Sequence, residues 1–109
     1  LMTNIETIKD WDNINNKYKV LLLFIYSDNI KDNTKLELIN KLSDTIKSKT
    51  KIFKLNINSK SLVNELDITS YPCIRLYKNT VMKKEFFIQE NLLDSVTSFL
   101  ENHIYDNYC

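Results

Sequence analysis

The sequence predicts a single α/β domain in which a mixed sheet of four or five strands carries helices on both faces. Three observations point there. The run from Val20 to Tyr26 is apolar without alternation, as a central strand covered on both faces is. A long amphipathic stretch follows, with Leu38, Leu42 and Ile46 four apart and Leu36 and Ile39 filling out the same side. Later, two strand-like runs flank Lys78-Asn79-Thr80, and a last amphipathic segment begins at Leu92. Helices alternating with strands, then a hairpin, argue for parallel pairing at the centre and antiparallel pairing at one edge.

Each element has its own signal. Ile5 to Ile8 reads as a short strand, and Asp10 to Asn16 as a helix with Trp11 and Ile14 on one face. Lys19 to Tyr26 is the central strand. Ser27 to Asp32 is polar, and the long helix runs from there to about Lys49. Lys51 to Ile57 is a strand, and Ser59 to Asp67 a short helix with Leu62, Val63 and Leu66 inward. Thr69 to Pro72 is a turn, Cys73 to Tyr77 a strand, and Val81 to Ile88 its hairpin partner. Asn91 is expected to cap the last helix, whose buried face is Leu92, Leu93, Val96, Phe99 and Leu100, with Asp94 three after the cap. The tail beyond His103 is expected to fray. No repeat, linker or low-complexity segment interrupts this order.

Composition narrows the function classes. At 109 residues, 43% hydrophobic and 27% charged, the chain is an ordinary globular domain able to bury one core. Its net charge is +1 with the signs interleaved, so no nucleic-acid partner is expected. Lys47, Lys49 and Lys51 read as a solvated helix end and loop. The longest apolar run is far shorter than a bilayer span, so no membrane association is expected. Two cysteines, Cys73 and Cys109, make neither a disulfide framework nor a zinc site, and neither a cofactor nor a metal is expected. The chain begins at Leu1, so the lack of a leader says nothing of its compartment. The cytoplasm is favoured there, and the oligomeric state stays open. The abundance of Asn, Lys and Ile reads as the mark of an AT-rich genome. Because glycine is absent, turns with positive φ must fall on Asn or Asp, and Asn16, Asn33, Asn58 and Asn79 stand where turns are expected.

The element order, together with Leu-Leu-Leu-Phe-Ile-Tyr at 21–26, Lys-Leu-Asn-Ile at 54–57 and Ile-Thr-Ser-Tyr-Pro at 68–72 followed by Cys-Ile-Arg-Leu-Tyr-Lys-Asn, resembles the thioredoxin family. The likeness covers nearly the whole chain apart from its ends, and from Phe24 to Ile57 it needs no gap. It implies the thioredoxin fold. It also locates a departure. The family's two redox cysteines fall on Asn29 and Asp32, with Ile30 and Lys31 between. The dithiol reaction needs one thiolate nucleophile at a helix N-terminus and a second thiol to resolve the mixed disulfide, and an amide and a carboxylate supply neither. The family's buried acid falls on Leu23, while the lysine that accompanies it remains as Lys54. The helix-kinking proline falls on Glu37.

Asn29 and Asp32 have a simple structural reading as an approximate capping box, worth about 1 kcal/mol. An oxygen-ligand metal site from Asp28, Asn29 and Asp32 lacks the glycine and distal glutamate of a calcium loop. The resemblance makes the peptide bond before Pro72 cis and gives Tyr71 a backbone that pairs with an extended chain. On that analogy the peptide-binding set is Asp28, Asn29, Ile30, Lys31, Tyr71 and Pro72. Alternatively, Pro72 merely shapes a turn. Cys73 reads first as a small buried hydrophobe, with a single-thiol role as the sharper alternative. Cys109 is expected exposed, and a bond between it and Cys73 stays open. His103 suits the end of a helix dipole and has no catalytic partner in sequence. Trp11 reads as core, and Tyr105 and Tyr108 as a contact surface.

Three functions follow. The first is a thioredoxin-like module without dithiol chemistry, more a binder than an enzyme, that holds a peptide or partner protein. The second is a weak single-thiol redox protein using Cys73. The third is a structural domain of a larger assembly.

Overall fold

The computed structural model describes residues 2–29, 33–46 and 50–105. Five strands, β1 (Thr3–Asn4), β2 (Val20–Tyr26), β3 (Lys51–Asn56), β4 (Cys73–Lys78) and β5 (Val81–Phe87), form one sheet in the order β1-β3-β2-β4-β5. β3 runs parallel to both β1 and β2, while β4 is antiparallel to β2 and β5 to β4. Four helices flank it: α1 (Ile8–Lys17), α2 (Asn33–Ile46), α3 (Lys60–Glu65) and α4 (Leu92–Phe99), the last continuing into a π-helical turn, Leu100–Ile104.

The strand period divides the core. Leu22 and Phe24 of β2, with Ile74 and Leu76 of β4, pack under Ile39 and Leu42 of α2 and Leu92 and Val96 of α4. Leu21, Leu23 and Ile25 point to the other face, where Trp11 of α1 and Leu62 of α3 cover them. β2 is therefore buried on both faces, which is why its sequence shows no alternation. Truncating a fully buried leucine such as Leu23 to Ala costs about 2–5 kcal/mol.

Several boundaries differ from the sequence reading. The first strand is Thr3–Asn4 and not Ile5 to Ile8, because Thr7 caps a helix that begins at Ile8, two residues before the expected start at Asp10. Thr7 Oγ1 accepts from the Asp10 N–H at 3.0 Å, and Asp10 Oδ2 accepts from the Thr7 and Glu6 N–H groups. These backbone donors also lower the Asp10 pKa. Asn16 lies inside α1, not in a turn, with its amide donating to the Asp12 carbonyl. Asn91 stands at the start of α4 but its side chain makes no capping bond. The short helix ends at Glu65, and Asp67 takes positive φ (49°) just beyond it. Asn79 does so in the hairpin (51°), and Thr80 (69°) is the β-branched exception. The chain after His103 does not fray at once: Ile104 is buried, its carbonyl accepts from Lys78 Nζ, and Tyr105 bonds to Thr50 through their hydroxyls. The expected end of α2 at Lys49, like Lys47, Cys109 and Tyr108, lies outside the described residues.

Candidate functional site

β2 ends at Tyr26 beside the start of β4, since Ile25 pairs with Cys73. This brings the segment after β2 and the loop before β4 to one end of the sheet. Asp28, Asn29, Tyr71 and Pro72 are thus gathered there. Ile30, Lys31 and Asp32 lie outside the described residues, and with them the proposed Asn29–Asp32 cap. The Asn29 N–H bonds to Ser27 Oγ at 3.3 Å. Asp28 is clamped: its carboxylate accepts from the Asn56 amide at 2.7 Å and the Asn58 amide at 2.8 Å. The Asn58 N–H in turn donates to Asn56 Oδ1, so the turn after β3 is preformed to hold the segment after β2.

The loop before β4 is held from beneath. Arg75 is only 7% exposed. Its Nε donates to Glu85 on β5 at 2.9 Å, and its terminal nitrogens reach the carbonyls of Leu66 and Asp67 and the Tyr77 hydroxyl. Ser70 Oγ donates to the second oxygen of Glu85. Burial alone disfavours the guanidinium charge, but its bonds to Tyr77 and Glu85 outweigh that and push its pKa up. The carbonyls left over at the end of α3 are therefore satisfied by a charge from the neighbouring strand, and residues 66–72 are pinned.

Above that anchor the loop faces solvent. The Tyr71–Pro72 peptide bond is cis. Tyr71 is 49% exposed, and among the described residues neither of its backbone groups makes a hydrogen bond. Phe87, opposite Cys73 at the end of β5, is 62% exposed and adds an apolar wall at the same end. Cys73 itself is fully buried, donates Sγ–H to the Ser70 carbonyl at 3.3 Å, and has its pKa pushed up to about 12 by that burial and by the Glu85 charge. A thiol in this state supplies no thiolate at neutral pH. Leu23 is buried under α1 and α3, whereas Lys54 lies on the α2 face over the Tyr26 ring, so the two are not neighbours in one site.

Trp11 is core, edge-on to Tyr77 at 4.7 Å. His103 packs against Phe99 with its ring tilted by 45°, and makes no contact with Tyr71 or Pro72 among the described ring and hydrogen-bond contacts. Among the described residues no group of His, Cys, Asp and Glu forms a metal site, and no helix is long and apolar enough to cross a membrane. Sequence reasoning missed Arg75, Glu85, Phe87 and the amide of Asn56. One signal was available: Arg75 is the sole arginine of the chain and stands inside an apolar strand.

No family model and no curated protein sequence matches the chain. Solved structures do. Oxidised thioredoxin of Plasmodium falciparum superposes with a TM-score of 0.76 at 13% identity, over 96% of this chain and 100% of that one. Mitochondrial thioredoxin 3 of Saccharomyces cerevisiae gives 0.78 at 14%, over 89% and 93%. Human ERp44, in a zinc-bound form, gives 0.77 at 18%, over 97% of this chain and 32% of that one. The chain is a thioredoxin-like domain in its fold.

Proposed function

We propose that this domain binds an extended segment of a peptide or partner protein at the Tyr71–Pro72 end of the sheet and performs no dithiol–disulfide exchange. The observation that carries this reading is the half-exposed Tyr71, whose backbone N–H and C=O have no partners among the described residues, on a loop that Arg75 anchors through the Leu66 and Asp67 carbonyls. An extended chain laid along it gains main-chain hydrogen bonds without reordering the loop, which is how strand-like recognition achieves affinity at low entropic cost. Phe87 supports the reading as an exposed apolar contact beside it. Asp28 and Asn29 belong to the same contact set in this proposal, as do Ile30 and Lys31, which lie outside the described residues. The single-thiol alternative draws no support from Cys73, whose sulfur is buried and hydrogen-bonded.

Two measurements test the proposal together. In a reduction assay on a chromogenic aryl disulfide, the native protein is expected to show no catalytic turnover, and turnover abolished by Cys73→Ala would overturn the non-redox half. For binding, peptides selected from a random extended library are titrated into the wild type and into Phe87→Ser. Selected ligands should shift the amide signals of residues 69–71 and lose affinity about tenfold in the variant, a difference of about 1.4 kcal/mol. A library yielding only ligands that leave the amide signals of residues 69–71 unshifted overturns the binding half.

A further inference from the structure

His103 and Lys84 lie outside the site above, yet both line one groove. β5 is an edge strand, so the outer side of its backbone has no ladder partner among the described residues. On the face covered by α4, a groove of about 400 Å³ runs between β5 and the flank of α4 with its π-helical turn. Its base is aromatic: Phe86 meets Phe99 edge to face at 5.8 Å, and His103 lies against Phe99 with centroids 4.8 Å apart and planes tilted by 45°. Lys84 Nζ stands 5.8 Å from the Phe86 ring and 5.5 Å from the Phe99 ring, and it has no carboxylate partner among the described residues. Ser95, Ser98 and Asn102 add hydrogen-bonding groups from the helix. Glu85 is the one carboxylate among the described lining residues, and it is already bonded to Arg75 and Ser70.

We propose that the free edge of β5 takes up an extended acidic strand from another protein. The added strand continues the sheet through its backbone, and its Glu or Asp side chains on the α4 face enter the groove against Lys84, Ser98 and Asn102. Main-chain pairing supplies affinity and the groove supplies selection for acidic side chains. A second copy of this chain fits worse. Pairing β5 with itself about its centre sets Lys84 opposite Lys84, and like charges directly opposite one another are destabilising. The ladder irregularity at Lys83, which leaves Leu76 opposite Lys84 but Tyr77 opposite Met82, also interrupts the regular edge that self-pairing would use.

The test uses the 109-residue chain and a fluorescein-labelled peptide of β5's length that alternates Glu and Val. Anisotropy titration is expected to saturate, and amide exchange to slow along Val81–Phe87. Peptides with Lys or Gln in place of Glu, and a version N-methylated along one edge, should bind about tenfold more weakly or worse. Lys84→Glu should lower affinity for the acidic peptide by a similar factor and raise it for the basic one, a reversal that misfolding cannot imitate. Equal binding of acidic and basic peptides overturns the proposal. So does slowed exchange confined to residues 66–72, which would instead mark the Tyr71 site. Protection of β5 that rises with protein concentration in the absence of peptide identifies a second copy as the occupant and overturns it as well.

Discussion

Two segments frame the Tyr71 end of the sheet, and they are fastened by opposite means. Residues 66–72 are tied from below by the buried Arg75 guanidinium, which reaches Glu85 and two carbonyls at once. The segment after β2 is tied from outside by the exposed Asp28 carboxylate, held between the amides of Asn56 and Asn58. Breaking a fully buried ion pair costs about 3–5 kcal/mol, and here the Glu85 side chain is 26% exposed, so water takes up part of the stranded charge and the cost falls to the low end of that range. An exposed hydrogen bond exchanges with water and contributes about 0.5–1.5 kcal/mol. The difference teaches that one side of the candidate site is fastened into the fold, while the segment after β2 is held by exposed bonds that water can replace.

Arg75→Met is the strongest way to break this comparison. It should destabilise the domain by about 3 kcal/mol in chemical denaturation and speed amide exchange through residues 66–71. If it is no worse than a change at Asp28, the buried anchor is not what holds the loop. Arg75→Met combined with Glu85→Leu should recover part of that loss, since removing both charges leaves none stranded.

Cys73 sharpens the comparison from within, because its thiol sits under the pinned loop and bonds to Ser70. Alkylation of the native protein should be slow and become fast only on unfolding; in Arg75→Met it should accelerate without global unfolding. A pH dependence follows. The thiol's ordinary value of 9.0 is raised to about 12 in the fold. Its contribution to stability is therefore complete below pH 9.0 and is lost as pH rises toward about 12, because over that window the unfolded thiol ionises and the folded one does not. Cys73→Val should remove this part of the alkaline decline. A native thiol that alkylates readily at neutral pH would revive the single-thiol reading.

Which parts of this were legible in the sequence depends on how local their physics is. The unbroken apolar run of Val20 to Tyr26 and the four-residue repeat through Leu38, Leu42 and Ile46 state their burial directly, so the sheet and its helices could be read. The β1 and α1 boundaries were missed because Thr7 and Asp10 cap each other through a reciprocal pair of bonds, which outweighs the apolar pattern of Ile5 and Ile8. The Arg75 network was hidden for a different reason. Its partners Leu66, Asp67 and Glu85 lie eight to ten residues away, outside β4, and two of them act through backbone carbonyls that no residue type reveals. Asn58 was read only as a turn residue, and its amide found Asp28 through the parallel pairing of β2 and β3.

Asp28→Asn probes the weaker fastening and carries the smallest expected effect. The change keeps size and shape but replaces one carboxylate oxygen with a donor. That donor then faces the amide of Asn56 or Asn58, so one of the two bonds is lost and the survivor is no longer charge-assisted. Because Asp28 is exposed, water takes up the released groups, and the expected loss is at the low end of about 0.5–1.5 kcal/mol. Exchange should quicken at residues 27–29 and 57–58 and stay unchanged at residues 66–72. A spread of faster exchange into the Tyr71 loop would show that the two fastenings are coupled, and the division between a fixed wall and a releasable one would fail.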